Sequence, residues 1–562
     1  MLELRGAPVR LGESDIAWVK QTLAGMSDDD KLRHLFCLVI YDDDEKELTR
    51  LAREVRPCGV MLRPFRHDEA LHASGVLQRE SEIPMLLAAN LESGGAGIDV
   101  DGTSLGSEMQ VAATGEARTA ARLGTICGRE ARAVGANWAF APIIDIDYNF
   151  RNPITNTRTF GSDPTVVRDM GRAYVTAVQR EGVAASIKHF PGDGVDERDQ
   201  HLAVTVNSLS CEDWDAAYGE AYRAGIEAGA LTVMIGHIMQ PAYSRRLRPG
   251  IKDEDILPAS LSPELIGGLL RERLGFNGLV VSDATSMAGF MAPLRRKEAV
   301  PRCIAAGCDV FLFSKNYDED LEAMRWGFEA GVITRERLDE AVTRILALKA
   351  ALGLHRDRAP KALADEALAE HRRWAQECAD ESVTLIKNKG GVLPLSPDKH
   401  RRVLLYPLES EKSFFAPKAD LPTLCDRVEK RLREEGFEVS RFEPSKGMEG
   451  RSTRYSDIVD SYDLLLYVAN LQTRSNQTTV RIEWAMPMGA NCPVYAAAVP
   501  TVFLSFANPY HLLDAPRVPV YVNAYASTDP TIDAVIDKLL GRSPFKGRSP
   551  VDAFCGKWDT HL

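Results

Sequence analysis

Eight short apolar runs recur through roughly the first 320 residues of the chain, and segments with helical character separate most of them. A run in which almost every residue is apolar is typical of a strand buried on both faces, as in a parallel sheet covered by helices. Two of the intervening helical segments are 107–134 and 164–181. The eight runs are 35–40, 59–62, 84–89, 138–145, 183–187, 231–235, 278–281 and 308–313.

This alternation predicts the fold class as α/β, with an N-terminal (β/α)8 barrel of the TIM type and long loops. A doubly wound open sheet is the alternative that the pattern leaves open. An apolar face at 338–352 suits the last helix of the barrel. These features predict a catalytic-type barrel over residues 1–355.

The remainder of the chain predicts a second, smaller α/β sandwich domain over residues 381–562. A charged, alanine-rich segment, 356–380, precedes it and is interpreted as a bridge. No motif in the second domain indicates catalysis. Its apolar runs are 383–386, 403–406, 464–468, 502–506 and 520–522.

Charge and cysteine content narrow the classes of partner. Lysine and arginine total 68 against 80 acidic residues, a net charge of −12, which argues against nucleic acid or an anionic membrane as main partner. The N-terminus lacks an uninterrupted apolar region typical of a signal peptide, and no run is long enough to cross a bilayer. Ten scattered cysteines without a C-x-x-C pair favour reduced thiols in a cytoplasmic protein rather than structural zinc.

Polar and ionisable residues stand mostly at the carboxyl ends of these runs. In a barrel of parallel strands those ends converge on one mouth, where the active sites of this fold lie. A single such residue is more often a helix cap, but five successive strand ends favour a real site. The residues are Asn90, Glu92, Asp145, Asp147, Lys188, His189, His237 and Asp283.

The polar loop after the fifth run carries an acid and an imidazole two residues apart. Its sequence, KHFPGDGVDERDQH (188–201), is broken by proline and glycine and places Asp199 close to His201. A hydrogen bond from the ring to the carboxylate would fix the imidazole tautomer and stabilise its protonated form. The pair therefore predicts a general acid/base, with an incidental ion pair on a solvated loop as the alternative.

Asp283 ends the buried run LVVSD and is the candidate nucleophile. Glycoside hydrolysis needs two groups flanking the scissile bond, one to protonate the leaving oxygen and one to attack the anomeric carbon or activate water. Asp283 and His201, with Asp199 behind the imidazole, would supply them. The alternative is that Ser282 or Asp283 caps the following helix.

The other strand-end residues suggest binding. Arg158 is a candidate for holding a polar or anionic substrate group through its guanidinium fork, or for a salt bridge that pins its loop. Lys188 and His189 can donate to sugar hydroxyls, and one of them can instead pair with a barrel acid. Asp145 and His237 are interpreted as structural.

The motifs KHFPGDG…DQH and GLVVSDATSM together resemble glycoside hydrolase family 3, specifically its β-N-acetylglucosaminidase branch. The barrel-then-sandwich order is similar to two-domain members, so the resemblance covers nearly the whole chain. It implies a retaining mechanism through a glycosyl intermediate on Asp283, with His201 and Asp199 as the acid/base pair on a mobile loop. It also implies that Lys188, His189 and Arg158 bind the non-reducing-end N-acetylglucosamine.

Two positions depart from that branch. Where many members read IDQEGGR this chain reads ANLESGGAG, so Asn90 stands for an aspartate that recognises sugar hydroxyls, and the arginine after the glycines is absent. Asparagine can both donate and accept, so hydroxyl recognition can survive with an altered preference. Position 193 is aspartate where histidine or another residue is frequent.

These features favour an exo-acting, cytoplasmic β-N-acetylglucosaminidase used in cell-wall recycling or chito-oligosaccharide breakdown. The alternatives are a phosphorylase or a β-glucosidase of the same fold, since an imidazole acid/base would not repel an incoming phosphate. A catalytically inactive sugar-binding protein is the alternative from another class. The glycines of LESGGAG lack the features of a nucleotide-binding loop. We expect no metal or organic cofactor, a small glycoside with a terminal N-acetylglucosamine as substrate, and leave a homodimer open.

Overall fold

The chain was analysed as a computed structural model, which describes residues 3–410, 422–443, 454–485 and 489–562. It divides into two compact units. The first unit comprises Met1–Ser104 and Ala117–His371, and the second comprises Leu105–Glu116 and Arg372–Leu562. The boundary thus falls inside the expected bridge, within the helix Asp365–Ser382. The short segment 105–116 groups with the second unit, an arrangement that sequence order does not indicate.

The first unit is built on eight parallel strands, which confirms the predicted α/β barrel. Their order in the sheet is β10-β1-β2-β3-β4-β5-β7-β9, and a bridge between Val281 and Val310 joins the last strand to the segment before the first. The strands are β1 (Phe36–Ile40), β2 (Gly59–Leu62), β3 (Leu86–Ala89), β4 (Trp138–Ala139), β5 (Ala184–Phe190), β6 (Thr205–Val206), β7 (Thr232–Ile235), β8 (Ile238–Met239), β9 (Leu279–Ser282) and β10 (Phe311–Leu312). Strands β6 and β8 form a separate parallel pair.

Each of the eight apolar runs supplies one barrel strand. Seven of these strands are fully buried, as expected for parallel strands covered by helices, whereas β1 is buried at Phe36 and Cys37 and partly buried over its last three residues. The fourth run is mostly irregular, since regular pairing is confined to Trp138–Ala139. The fifth strand is longer than its apolar run. It includes Lys188 and His189, which were expected to follow the strand and instead lie buried within it. Both side chains can enter the strand because acidic partners receive them, as described below.

Helices surround the barrel strands. Two helices precede the first strand, and the predicted last barrel helix spans Arg335–Ala351. The α-helices of this unit are Glu13–Gly25, Asp28–Arg33, Glu45–Arg50, His67–Glu80, Ala117–Ala133, Pro164–Arg180, Cys211–Trp214, Glu220–Glu227, Pro241–Leu247, Ala288–Met291, Arg296–Ala306, Tyr317–Glu329 and Arg335–Ala351. Stretches of π-helix are Leu51–Val55, Asp215–Gly219 and Glu264–Arg273, and 3-10 turns are Gly95–Gly97, Asn156–Arg158, Asp253–Asp255 and Ala259–Leu261.

The second unit is a six-stranded sheet in the order β11-β16-β15-β14-β12-β13, with β11 antiparallel to β16 and the other pairs parallel. Its strands are β11 (Thr384–Asn388), β12 (Arg402–Glu409), β13 (Glu438–Arg441), β14 (Leu464–Asn470), β15 (Thr501–Ser505) and β16 (Val520–Asn523). Its helices are Glu108–Ala113, Leu424–Glu434, Tyr455–Val459 and Asp529–Leu539, with 3-10 turns at His511–Leu513 and Trp558–His561.

Successive residues of a central strand in the second unit pack into different cores. Val403 and Leu405 of β12 lie in one apolar cluster, while Leu404 and Tyr406 lie in the other. This alternation is the period of two that a strand imposes, and it makes the sheet the middle layer of a sandwich. None of the ten cysteines is disulfide-bonded, and all except Cys492 are buried.

Candidate active site

The carboxyl ends of β3, β4, β5, β7 and β9 bring the strand-end polar residues to one edge of the barrel. Parallel strands place these ends together, so the side chains form a single cluster although they are far apart in sequence. Within the cluster, Glu92 binds two cations, and Asp283 lies near histidine side chains. Its members are Asn90, Glu92, Asp145, Arg158, Lys188, His189, Asp199, His201, His237 and Asp283.

Glu92 binds two of the predicted sugar-binding cations. Arg158 donates from Nε and Nη2 to its two carboxylate oxygens at 3.0 and 2.8 Å, and Lys188 donates from Nζ to Oε1 at 2.7 Å. Although burial would raise the pKa of Glu92, the charges of Arg158 and Lys188 hold that pKa well below its usual range. The Arg158 fork is therefore occupied by a protein carboxylate, and its Nη1 remains without an acceptor among the described residues.

His189 lies between two acids. Its Nδ1 is 2.7 Å from Oδ2 of Asp145, and its Nε2 is 3.9 Å from Oδ2 of Asp283. The fully buried Asp145 also accepts the backbone N–H groups of His189 and Asp193 through Oδ1, at 3.0 and 2.8 Å. Asp145 thus orients the imidazole and directs Nε2 to Asp283, which gives it a positioning role that the structural interpretation of the sequence did not include.

The Asp283 carboxylate faces the cluster and does not cap a helix. The next helix begins at Ala288, and Oδ1 of Asp283 accepts only the adjacent Ala284 N–H at 2.7 Å among the described groups. Its side chain is 13% exposed, so it can be reached from outside. Burial would raise the pKa of Asp283, but the neighbouring imidazoles of His189, His237 and His201, in that order, hold it below its usual value, which keeps the carboxylate ionised at neutral pH.

Asp199 and His201 form the pair that the sequence predicts. Nδ1 of His201 lies 2.7 Å from Oδ1 of Asp199, which also accepts the His201 backbone N–H at 2.8 Å. With Nδ1 donating to the carboxylate, Nε2 is the ring atom left for a substrate. The His201 side chain is 25% exposed, whereas that of Asp199 is fully buried.

The loop that carries His201 is bonded to the segment that follows Asp283. The backbone N–H groups of Ala288 and Gly289 donate to the carbonyls of His201 and Gln200, both at 3.1 Å. Main-chain bonds therefore hold the imidazole next to the helix downstream of the acid.

His237 has hydrogen-bond partners on both ring nitrogens. Its Nε2 donates to the Ala284 carbonyl at 3.0 Å, and its Nδ1 accepts from the Ser260 hydroxyl at 2.8 Å. Burial lowers the pKa of His237 to about 4, so the ring is neutral at physiological pH. These contacts make it a support for the segment after Asp283.

Asp193 joins the loops around the site. Its carboxylate accepts from Asn152 Nδ2 at 2.9 Å, from the Gly194 N–H at 2.7 Å and from Gln200 Nε2 at 3.4 Å. Gln200 in turn accepts the His237 N–H at 2.8 Å. Sequence reasoning assigned position 193 no role; its place within the glycine-flanked motif PGDG was the available signal.

Asn90 stands apart from this network. Its side chain is exposed at the end of β3, and no described residue hydrogen-bonds it. Among the described residues no group of three or more histidine, cysteine or acidic side chains could hold a metal ion. No helix within the described part of the chain is long and apolar enough to span a bilayer.

Comparison with known proteins identifies the family of the chain. The model of the glycosyl hydrolase family 3 N-terminal domain matches residues 64–348. A beta-N-acetylglucosaminidase/beta-glucosidase of Cellulomonas fimi is 54% identical over 565 residues, covering 100% of both chains. A beta-glucoside phosphorylase, BglX, superposes with a TM-score of 0.92 at 45% identity over 99% of each chain. A family 3 beta-N-acetylglucosaminidase from Paenibacillus shares the fold, with a TM-score of 0.78 at 24% identity over 95% of this chain and 100% of the other. The chain therefore belongs to glycoside hydrolase family 3.

Proposed function

We propose that this chain is a retaining exo-β-glycosidase that releases a non-reducing-end N-acetylglucosamine, with Asp283 as nucleophile and His201 as acid/base. The observation that carries the proposal is the Asp283 carboxylate facing the cluster, with the Asp199–His201 pair on the loop to which the segment after Asp283 is hydrogen-bonded. Arg158 and Lys188, which are paired with Glu92, bind the substrate together with His189 and Asn90. The naming of the 54% identical relative as both a β-N-acetylglucosaminidase and a β-glucosidase supports this class and extends it to glucosides.

The reaction has two steps. In the first, a carboxylate oxygen of Asp283 attacks the anomeric carbon, the bond to the aglycone oxygen breaks, and that oxygen takes a proton from Nε2 of His201. In the second, the now neutral His201 accepts a proton from water, whose oxygen attacks the anomeric carbon and displaces Asp283. Two displacements leave the β configuration unchanged.

The test is turnover of an aryl β-N-acetylglucosaminide and an aryl β-glucoside by the wild type and by Asp283→Ala. Asp253→Ala is the matched control, because that aspartate is 84% exposed on a surface loop. We expect Asp283→Ala to lose about 10³-fold or more in turnover on both substrates. Equal weak turnover by wild type and Asp283→Ala would instead indicate a sugar-binding protein without catalysis.

Phosphorolysis is the second candidate function. The acid/base candidate is an imidazole, and a neutral imidazole does not repel a phosphate that approaches the glycosyl intermediate as a carboxylate would. The 45% identical β-glucoside phosphorylase supports this outcome. Phosphate would then replace water in the second step and yield a β-sugar 1-phosphate. Product analysis in phosphate buffer tests it, and free sugar as the only product at about millimolar phosphate would exclude it.

A further inference from the structure

A cavity of about 420 Å³ opens at the edge of the barrel opposite the candidate active site. It lies beside the residues that lead into β1, β2 and β3, so the strands separate it from the carboxyl-end cluster. The helix Glu13–Gly25 forms one wall, and the segment after the last barrel helix forms another. Its ionisable lining residues are Asp30, His34, Arg56, Glu82, His355 and Arg358.

Arg358 lines this cavity, and main-chain carbonyls are the only acceptors of its guanidinium among the described residues. Its Nη1 donates to the carbonyls of Gln78 and Ser81 at 3.0 and 2.7 Å, and its Nη2 donates to the Glu82 carbonyl at 3.1 Å. Among the described residues no carboxylate pairs with this guanidinium and no group accepts from its Nε. The side formed by Nε and Nη2 is the one that binds carboxylates and phosphates with two hydrogen bonds.

Arg56 is a second guanidinium in the lining, and its backbone is unusual. It follows the π-helical turn Leu51–Val55 with φ 55° and ψ 47°, the left-handed conformation that a helix end normally gives to glycine. A non-glycine residue held there costs free energy. Nη2 of Arg56 lies 2.6 Å from Oδ1 of Asp30, so this pair can open toward a stronger anion.

His355 supplies an unused polar atom. Its side chain is 8% exposed, its Nε2 lies 3.0 Å from Asp15, and its Nδ1 is buried without a hydrogen-bond partner among the described residues. The ring stacks on Trp18 with centroids 4.8 Å apart. A buried ring nitrogen without a partner costs free energy that a ligand hydroxyl or water would recover.

A buried lysine, Lys349, adds positive charge behind the cavity lining at His34. Nζ of the fully buried Lys349 lies 2.8 Å from Nε2 of His34, which lines the cavity. Burial, reinforced by the nearby Arg358, lowers the pKa of Lys349 to about 7, so the amine retains part of its charge at neutral pH. An anion in the cavity would therefore meet Arg358 and Arg56, with the Lys349 amine behind His34, against Asp30 and Glu82.

We propose that this barrel-floor cavity binds a small hydroxylated organic anion, with its carboxylate or phosphate on Arg358 and its ring against the Trp18–His355 wall. This site is independent of the glycosidase reaction. A carboxylate ligand and a phosphate ligand of this kind share an anionic group attached to a hydroxylated ring. A hexuronate is an example of the first and a hexose phosphate of the second.

The experiment follows hydrogen–deuterium exchange of the full chain with glucuronate, glucose 6-phosphate and neutral glucose. N-acetylglucosamine is kept in excess so that the candidate active site is occupied. We expect one or both anions, at about 1–10 mM, to slow exchange in the helix Glu13–Gly25 and in 352–358, with no slowing by glucose. Binding of only one anion assigns the site to a carboxylate or to a phosphate ester.

Three variants test the assignment. Arg358→Gln should weaken the anion effect about tenfold or more, and Arg245→Gln, a half-exposed surface arginine, should leave it unchanged. Because Arg358 also bonds the carbonyls after a helix, Trp18→Leu serves as the second probe if Arg358→Gln does not fold, and it should weaken binding as well. The proposal would be overturned if neither anion slowed exchange, or if glucose slowed it equally. It would also be overturned if the folded cavity variants bound the anions as well as the wild type does.

Discussion

Nζ of Lys188 in β5 donates a 2.7 Å hydrogen bond to the carboxylate of Glu92 in the loop after β3. The same carboxylate receives the Arg158 fork, so one acid holds both cations that were expected to bind sugar. Replacing Glu92 leaves two positive groups without their anion in a partly buried place. The neutral isostere is the sharpest test of this arrangement.

Glu92→Gln should lower the free energy of unfolding by about 3 kcal/mol at neutral pH and raise KM more than it lowers kcat. The pKa of Glu92 is lowered in the folded protein, so its stabilising contribution is complete above the ordinary glutamate pKa of about 4.3. That contribution is lost as the pH falls below this value. Thermal unfolding from pH 3 to pH 7 measures the stability loss, and equal acid sensitivity of variant and wild type would contradict it. Steady-state kinetics measure the change in KM and kcat, and an unchanged KM would contradict a role in substrate binding.

His201→Gln should affect substrates according to their leaving groups. Glutamine has no transferable proton, so substrates with a poor leaving group should lose about 10²–10⁴-fold in kcat, and activated nitrophenyl glycosides much less. Steady-state kinetics on both substrate types provide the measurement. His72→Gln is the control, because His72 is exposed on a helix away from the cluster. A uniform loss across leaving groups would argue against proton donation by His201.

Asp193 should lower the free energy of unfolding as the pH rises from about 4 to about 7. Burial and the nearby Asp145 carboxylate raise the pKa of Asp193 to about 7. The folded protein keeps this proton between about pH 4 and pH 7 while the unfolded chain loses it, so ionisation costs stability over that window. We expect Asp193→Asn to gain about 2 kcal/mol relative to wild type between pH 4 and pH 8. Asp253→Asn on the surface should show no such trend in the same unfolding measurements.

Gly194→Ala should disrupt the loop before the acid/base pair. Gly194 has a φ of +105°, and a Cβ there would lie 1.9 Å from the Ile146 carbonyl oxygen. We expect a loss of about 3 kcal/mol in stability together with reduced turnover. Gly250→Ala isolates backbone strain, because its φ is +85° and no atom lies within 4 Å of the added carbon. It should cost about 1 kcal/mol and leave turnover unchanged.

The barrel was predictable because strands buried on both faces are continuously apolar, and all eight such runs became barrel strands. The edge strand β13 (Glu438–Arg441) was not predicted, since three of its four residues are polar and only Val439 is buried. Lys188 and His189 were expected beyond β5 because charged residues normally end a buried strand. Their acidic partners, Glu92 and Asp145, lie in the segments after β3 and β4, and such long-range pairing leaves no signal in the local pattern.

The same limit applies within the site. Asp199 and His201 are two residues apart, so their pairing could be predicted from local sequence, and the contact is present at 2.7 Å. Glu92 was noted only as a strand-end residue, because its partners at 158 and 188 are remote in sequence. The role of Asp193 depends on donors from Asn152 and Gln200, and it likewise required the folded chain.

The hydrogen bonds from Ala288 and Gly289 tie the loop of the proposed acid/base, His201, to the segment that follows the proposed nucleophile, Asp283. A displacement that carried the imidazole outward would have to break both contacts or pull the downstream helix with it. The distance between Asp283 and His201 and the movement of the loop that carries His201 are therefore coupled. Substitutions near residue 288 would alter both.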